Sequence, residues 1–279
     1  MPTSAVALVL FAALLHASWN ALLRVSGDRL VVLALLNGCA GLAAACLLPF
    51  APFPFPAAWP CILASTILHG GYNLFLATAY DHGGLGQVYP IARGSAPLLV
   101  LVLAWLTLGE HIGAVQVLAV LVTSLGIAAL AFRGGSSTRL SPRGLFFALG
   151  TAAFIGAYTT VDAAGARAAG SPHGYALTLF ICDGTLSLAY VFWRRRATLI
   201  TTARREWRGA SIGGLMCLGG YWLVIWALTI APAATVAALR ETSVVIAALL
   251  ATFLLREPFG AWRVAAAATV AAGAILLRF

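Results

Sequence analysis

Residues 31–49, VVLALLNGCAGLAAACLLP, carry no charged side chain. A run of about 20 apolar residues can cross the hydrocarbon core of a bilayer as a helix. Runs of this kind recur along almost the whole chain, and no other feature limits its fold as much. Ten candidate spans follow, at roughly 4–23, 31–49, 61–80, 87–108, 112–132, 144–164, 174–193, 210–230, 233–255 and 260–278. The runs are continuous and not alternating, which predicts helices and not a barrel. The fold class expected is an all-α membrane protein of ten transmembrane helices. A soluble domain has about 25% charged residues. Here 62% of residues are hydrophobic and 9% charged, too much apolar surface for a chain of 279 residues to hide. MPTSA lacks the basic segment of a signal peptide, so the first run reads as a retained helix.

Every basic residue among the 17 is an arginine. Arg24, Arg29, Arg133, Arg139, Arg143, Arg194, Arg195, Arg196, Arg204, Arg205, Arg208, Arg256 and Arg263 follow spans 1, 5, 7 and 9. The opposite loops and the C-terminus hold only Arg167 and Arg278. Positive residues favour the cytoplasm, which predicts external termini in a multi-pass protein of the bacterial inner membrane. The cluster RRRATLITTARREWR, residues 194–208, reads as an anchor on anionic lipid heads, with no nucleic-acid partner. Cys39, Cys46, Cys61, Cys182 and Cys217 fall in or beside apolar runs without a CxxC pair and read as packing residues.

The chain repeats itself. LTLGEHIGAVQV (106–117) aligns with FLLREPFGAWRV (253–264). The same shift pairs Arg93 with Arg240, Glu110 with Glu257, and Gly126 with Gly273. Residues 1–133 and 144–279 then form two repeats joined by a linker at 134–143. Five spans per repeat is an odd number, so the second enters the membrane inverted, as in many secondary transporters.

Charged groups at membrane depth are expensive and usually functional. Arg93, in VYPIARGSAP, is predicted to face a central cavity beside Tyr89, with Pro90 and Pro97 loosening its helix. Arg240 answers it from the second repeat and is followed by Glu241, whose direction differs by about 100° on a helix. HASWN (16–20) and HGGYN (69–73) each place His, an aromatic and Asn on one helix face. His16, Trp19, Asn20, His69, Tyr72 and Asn73 are therefore candidate cavity residues, with interhelical hydrogen bonding as the equal alternative. Tyr158 and Tyr221 complete the aromatic lining. Asp183 sits at mid-span and Asp162 near a span end, where solvent is the competing explanation. Asp162, Asp183 or Glu241 would balance charge or carry a coupling proton, and Glu241 is also a candidate substrate-binding residue. Glu110 and Glu257 read as span-end groups. Two histidines without a carboxylate cluster argue against a metal, and no cofactor is implied.

The Gly109–Glu110 pair, its counterpart Arg256–Glu257, HASWN and the Arg-Glu-Thr-Ser of 240–243 resemble the EamA-type family of the drug/metabolite transporter superfamily. The resemblance implies a basket of helices 1–4 and 6–9 around a cavity, with helices 5 and 10 packed behind it. It also implies cytoplasmic termini, against the arginine count. The expected function is secondary transport of a small polar or anionic metabolite, or a drug, by alternating access. No GxxxxGK[ST] motif supplies ATP chemistry. The alternatives are a flippase or carrier for a lipid-linked substrate and, ranked lower, an intramembrane enzyme acting on a phospholipid. Partners expected are the substrate, membrane lipids and, in a homo-oligomer, further copies of the chain.

Overall fold

The structure is a computed structural model and describes residues 1–23, 28–83, 85–132, 141–247, 249 and 260–277. Arg24, Arg133, Arg139, Arg256, Glu257 and Arg278, and most of the linker, lie outside the described residues. All regular structure among the described residues is helical. The helices are α1 (Thr3–Leu23), α2 (Arg29–Leu47), α3 (Trp59–His82), α4 (Leu85–Leu108), α5 (Ala114–Phe132), α6 (Pro142–Ala168), α7 (Pro172–Ile230), α8 (Ala233–Arg240) and α9 (Ala261–Leu276). Side-chain oxygens set several starts: Asp28 accepts from Val31 N, Ser141 from Gly144 N and Ser171 from Gly174 N.

Seven of these helices are long and apolar enough to cross a membrane, and α9 is apolar but shorter. Large apolar side chains such as Phe11, Leu42, Ile67, Leu106 and Leu125 stand exposed on their outer faces. In water such a surface would drive association; in lipid it is solvated.

Helix α7 runs for 59 residues, but Arg195 leaves helical geometry (φ −144°, ψ 41°) and divides it into two arms. The arms hold the two runs expected at 174–193 and 210–230. Both pack on α2 at the same level: Asn37 Nδ2 donates to Ser187 Oγ (3.3 Å) on the first, and Cys39 Sγ lies 3.7 Å from Ser211 Oγ on the second. The bend is exposed, with Arg194, Arg196 and Arg208 lying over the rings of Trp193, Phe192 and Trp207.

Close helix approach depends on small residues, as is usual in membranes. A Cβ on Gly184 would meet the backbone oxygen of Asn37 at 2.6 Å. Gly184→Val is therefore expected to destabilise the protein by about 1–3 kcal/mol through overpacking, read as a lower thermal midpoint in detergent. Helices α5 and α9 press together likewise, with Gly126 against Val270 and Gly273 against Thr123.

Two expectations about helix continuity are corrected. Helix α4 stays intact through Pro90 and Pro97, so the prolines do not open it. The run expected at 233–255 breaks instead at Glu241 and Thr242, and helical backbone resumes at 243–247. Thr242 N bonds Leu239 O (3.2 Å) and Val244 N bonds Glu241 O (3.0 Å), the tighter i→i−3 pattern. The Thr242 hydroxyl also donates to Leu239 O (2.7 Å), competing for that carbonyl.

Candidate functional site

Arg93 and Arg240 come from helices that start on opposite faces of the bundle, yet both reach Glu241. Arg93 Nε lies 2.6 Å from Glu241 Oε2, an ion pair without linear hydrogen-bond geometry. Arg240 Nη2 lies 3.7 Å from Glu241 Oε1, so the adjacent pair does converge despite its spacing. Arg93 Nη2 also donates to Ser243 Oγ (3.4 Å), and the guanidinium lies 5.7 Å from the Tyr89 ring. Arg93 is 2% exposed, which rules out snorkelling to the interface, and Glu241 is fully buried.

Beside this cluster, α1, α2, α3, α6, both arms of α7 and Arg240 enclose a chamber of about 90 Å³. Of the expected residues, His16, Trp19, His69, Tyr72, Asn73, Tyr158, Tyr221, Asp183 and Arg240 line it. Arg93 does not: its guanidinium is committed to Glu241. Tyr89 packs with Ile127, Val244 and Val270 and is also absent from the lining. Asn20 turns its amide onto the carbonyl of His16 in its own helix (2.8 Å).

The two aspartates differ. Asp162 is fully buried, because α6 continues to Ala168 and carries it away from the interface. Its two oxygens accept from Tyr175 (2.8 Å) and Tyr221 (2.5 Å), and it does not line the chamber. Asp183 does line it, with Oδ2 3.3 Å from His69 Nδ1 and Oδ1 lacking a hydrogen-bond partner among the described residues. His69 Nδ1 also lies 3.1 Å from the Ser65 carbonyl. Ser65 Oγ lies 3.2 Å from the same nitrogen, so Nδ1 sits among three oxygens of Ser65 and Asp183. The ring stacks on Tyr158 with centroids 4.0 Å apart. Arg240 covers the Tyr221 ring at 5.9 Å.

Groups near the span ends tie α4, α6, α7 and α8 together without lining the chamber. Arg167 Nη2 pairs with Glu110 Oε1 (2.5 Å), and Arg167 Nε donates to Leu228 O (2.9 Å). Glu110 Oε2 accepts from Ala233 N (2.8 Å) at the start of α8. A carboxylate at a helix N-terminus satisfies an orphan donor and the helix dipole. Toward the arginine-rich face, the chamber's Leu33 and Asn73 also border a larger space of about 460 Å³ between α2, α3, α6 and the first arm of α7. That vestibule in turn shares Leu30, Tyr190 and Val191 with a mouth bearing Arg194 and Arg195.

Sequence reasoning missed Asn37, which lines the chamber from α2. A lone amide in an otherwise apolar run was the available signal. It also missed Arg167 as the partner of Glu110, a pairing that no spacing encodes. No group of three or more His, Cys, Asp or Glu residues suited to a metal occurs among the described residues.

The sequence matches the EamA-like transporter family over residues 3–132 and 142–279. It is 26% identical over 200 residues to YwfM of Bacillus subtilis (strain 168), an uncharacterized transporter, covering 72% of this chain and 67% of that one. A solved crystal structure superposes with a TM-score of 0.79 at 16% identity, over 99% of this chain and 96% of that one. At such identity the likeness speaks for the fold alone. The whole-chain family match and the lipid-suited helices make this protein an integral, multi-pass membrane transporter belonging to the EamA-like family.

Proposed function

We propose that the protein is a secondary transporter that moves a small polar or anionic metabolite by alternating access through the chamber. The observation that carries this reading is Arg240. Its cation lines the chamber, with Nε and Nη2 lacking hydrogen-bond partners among the described residues. A buried guanidinium in that state favours an anionic guest, which would supply charge-assisted hydrogen bonds. His16 and Tyr72 offer polar atoms around the same space. Asp183, and not the saturated Asp162, is the candidate carrier of a coupling proton. Two inverted repeats of five spans, with external termini in a bacterial inner membrane, fit the repeated sequence, the double family match and the arginine distribution.

The test is uptake by proteoliposomes of a panel of small carboxylates, phosphates, cations and neutral polyols, with and without an imposed pH gradient. Saturable uptake of an anion is expected. Uptake confined to cations or to polyols would reject the reading.

Alternating access gives a second expectation. The Glu110–Arg167 pair joins the ends of α4 and α6 on the face opposite the arginine-rich one and is the candidate gate there. Glu110→Gln removes the ion pair and weakens the cap on Ala233. At about 1 kcal/mol for a partly exposed pair, opening of that face should rise about fivefold. Cys217 lines the chamber and reports this. Its alkylation by a membrane-impermeant maleimide added from that face should speed up by a similar factor. An unchanged rate would show that the pair is not a gate.

A further inference from the structure

Ligand pockets usually enclose about 300–1,000 Å³ and are mostly apolar with a few placed polar groups. The chamber, at about 90 Å³, is far below that range, while the vestibule, at about 460 Å³, lies within it. The two adjoin. Leu33 and Asn73 belong to both, and Asn37 of the chamber donates to Ser187 of the vestibule (3.3 Å). The vestibule is almost wholly apolar, walled by Leu30, Ile67, Leu74, Phe154 and Leu186, with Asn73, Ser187 and Tyr190 as its polar exceptions. A metabolite that fits only the chamber would leave this space to water or lipid. A metabolite with an apolar part would fill both.

We propose that chamber and vestibule together bind one amphipathic anion, its charged head at Arg240 and its apolar tail of several carbons between α2, α3 and the first arm of α7. This deepens the transporter reading above and rests on it. Charge order along the path agrees. Arg194 at the mouth attracts the anion, beside an Arg195 that is paired with Asp28; the apolar vestibule follows, and among the described residues the next cation to border the path is Arg240 in the chamber. The rim residues Ile67, Leu74 and Leu186 are exposed, so a bilayer acyl chain is the competing occupant.

Gly70 makes the proposal testable. It lines the vestibule, and a Cβ there meets nothing nearer than Leu186 Cδ2 at 3.6 Å. At Gly71 a Cβ would instead strike the Phe154 ring at 2.4 Å. Gly70→Leu thus fills the space without pushing on backbone. Leu186→Trp narrows the same space from an exposed rim position and serves if Gly70→Leu does not fold.

The probes are ethanesulfonate, butanesulfonate and hexanesulfonate, titrated calorimetrically into the purified full chain. In the wild type, affinity should rise by about fourfold per buried methylene. In either variant that gain should vanish while ethanesulfonate binding is kept. Equal chain-length dependence in wild type and variants would place the tail in the micelle and overturn the proposal. Ethanesulfonate binding without any chain-length gain in the wild type would overturn the proposal alone. No binding of any sulfonate would overturn the anion reading with it. A co-purifying phospholipid that no sulfonate displaces and that Leu186→Trp releases would assign the vestibule to an acyl chain, again against the proposal.

Discussion

Glu241→Gln is expected to cost about 3–5 kcal/mol of stability, because it strands a buried charge. Glu241 is the carboxylate that Arg93 and Arg240 share, and Arg93 cannot reach water at 2% exposure. The check is thermal or denaturant unfolding of the detergent-solubilised protein. The double variant Arg93→Met/Glu241→Gln should recover much of the loss, since replacing both partners of a buried pair is far cheaper than removing one. If single and double variants are equally unstable, the residue pair is not coupled. The expected coupling would identify Arg93 as a strut: it ties α4 to the broken backbone after α8 and leaves Arg240 as the cation that faces the chamber.

Arg240→Gln should behave in the opposite way. Arg240 sits 3.7 Å from Glu241, with Nε and Nη2 lacking hydrogen-bond partners among the described residues. Its burial is thus only partly compensated, and neutralising it should leave stability unchanged or raise it by about 1 kcal/mol. Transport should suffer. A hydrogen bond to a charged group contributes about 1.5–3 kcal/mol, so uptake of the anionic substrate at low concentration should fall about 10- to 100-fold. Proteoliposome flux measured beside unfolding separates the effects. Full transport with a raised midpoint would mean that Arg240 does not touch the substrate.

This contrast was only half legible in the sequence. The offset repeat singled out Arg93 and Arg240 as a pair, and their depth marked both as unusual. Yet their shared depth gave no means of telling the strut from the binding residue, because that depends on which one comes closest to Glu241. The prolines around Arg93 pointed to a broken helix in the first half. The break lies after Arg240, where the Thr242 hydroxyl takes a backbone carbonyl. Asp162 looked interfacial because the apolar run thins out at Asp162. The helix in fact continues to Ala168, and Tyr175 and Tyr221, distant in sequence, saturate the carboxylate. Asn20 shares a helix face with His16 in HASWN, but periodicity does not reveal that its amide will bond its own backbone.

The sequence by itself determined that the chain lives in lipid as helices, since uncharged runs of bilayer length leave no other way to satisfy the backbone. It also settled which ends of those helices carry the arginines, and which few polar groups had to be housed at depth. Only the tertiary structure decided how those groups are divided. Arg93 became ion-paired with Glu241 and Asp162 hydrogen-bonded by two tyrosines, while Arg240, Asp183 and His69 were left around a cavity. Buried charges are tolerated only beside partners, and partners from α4, α6, α7 and the segment after α8 meet only when the helices pack.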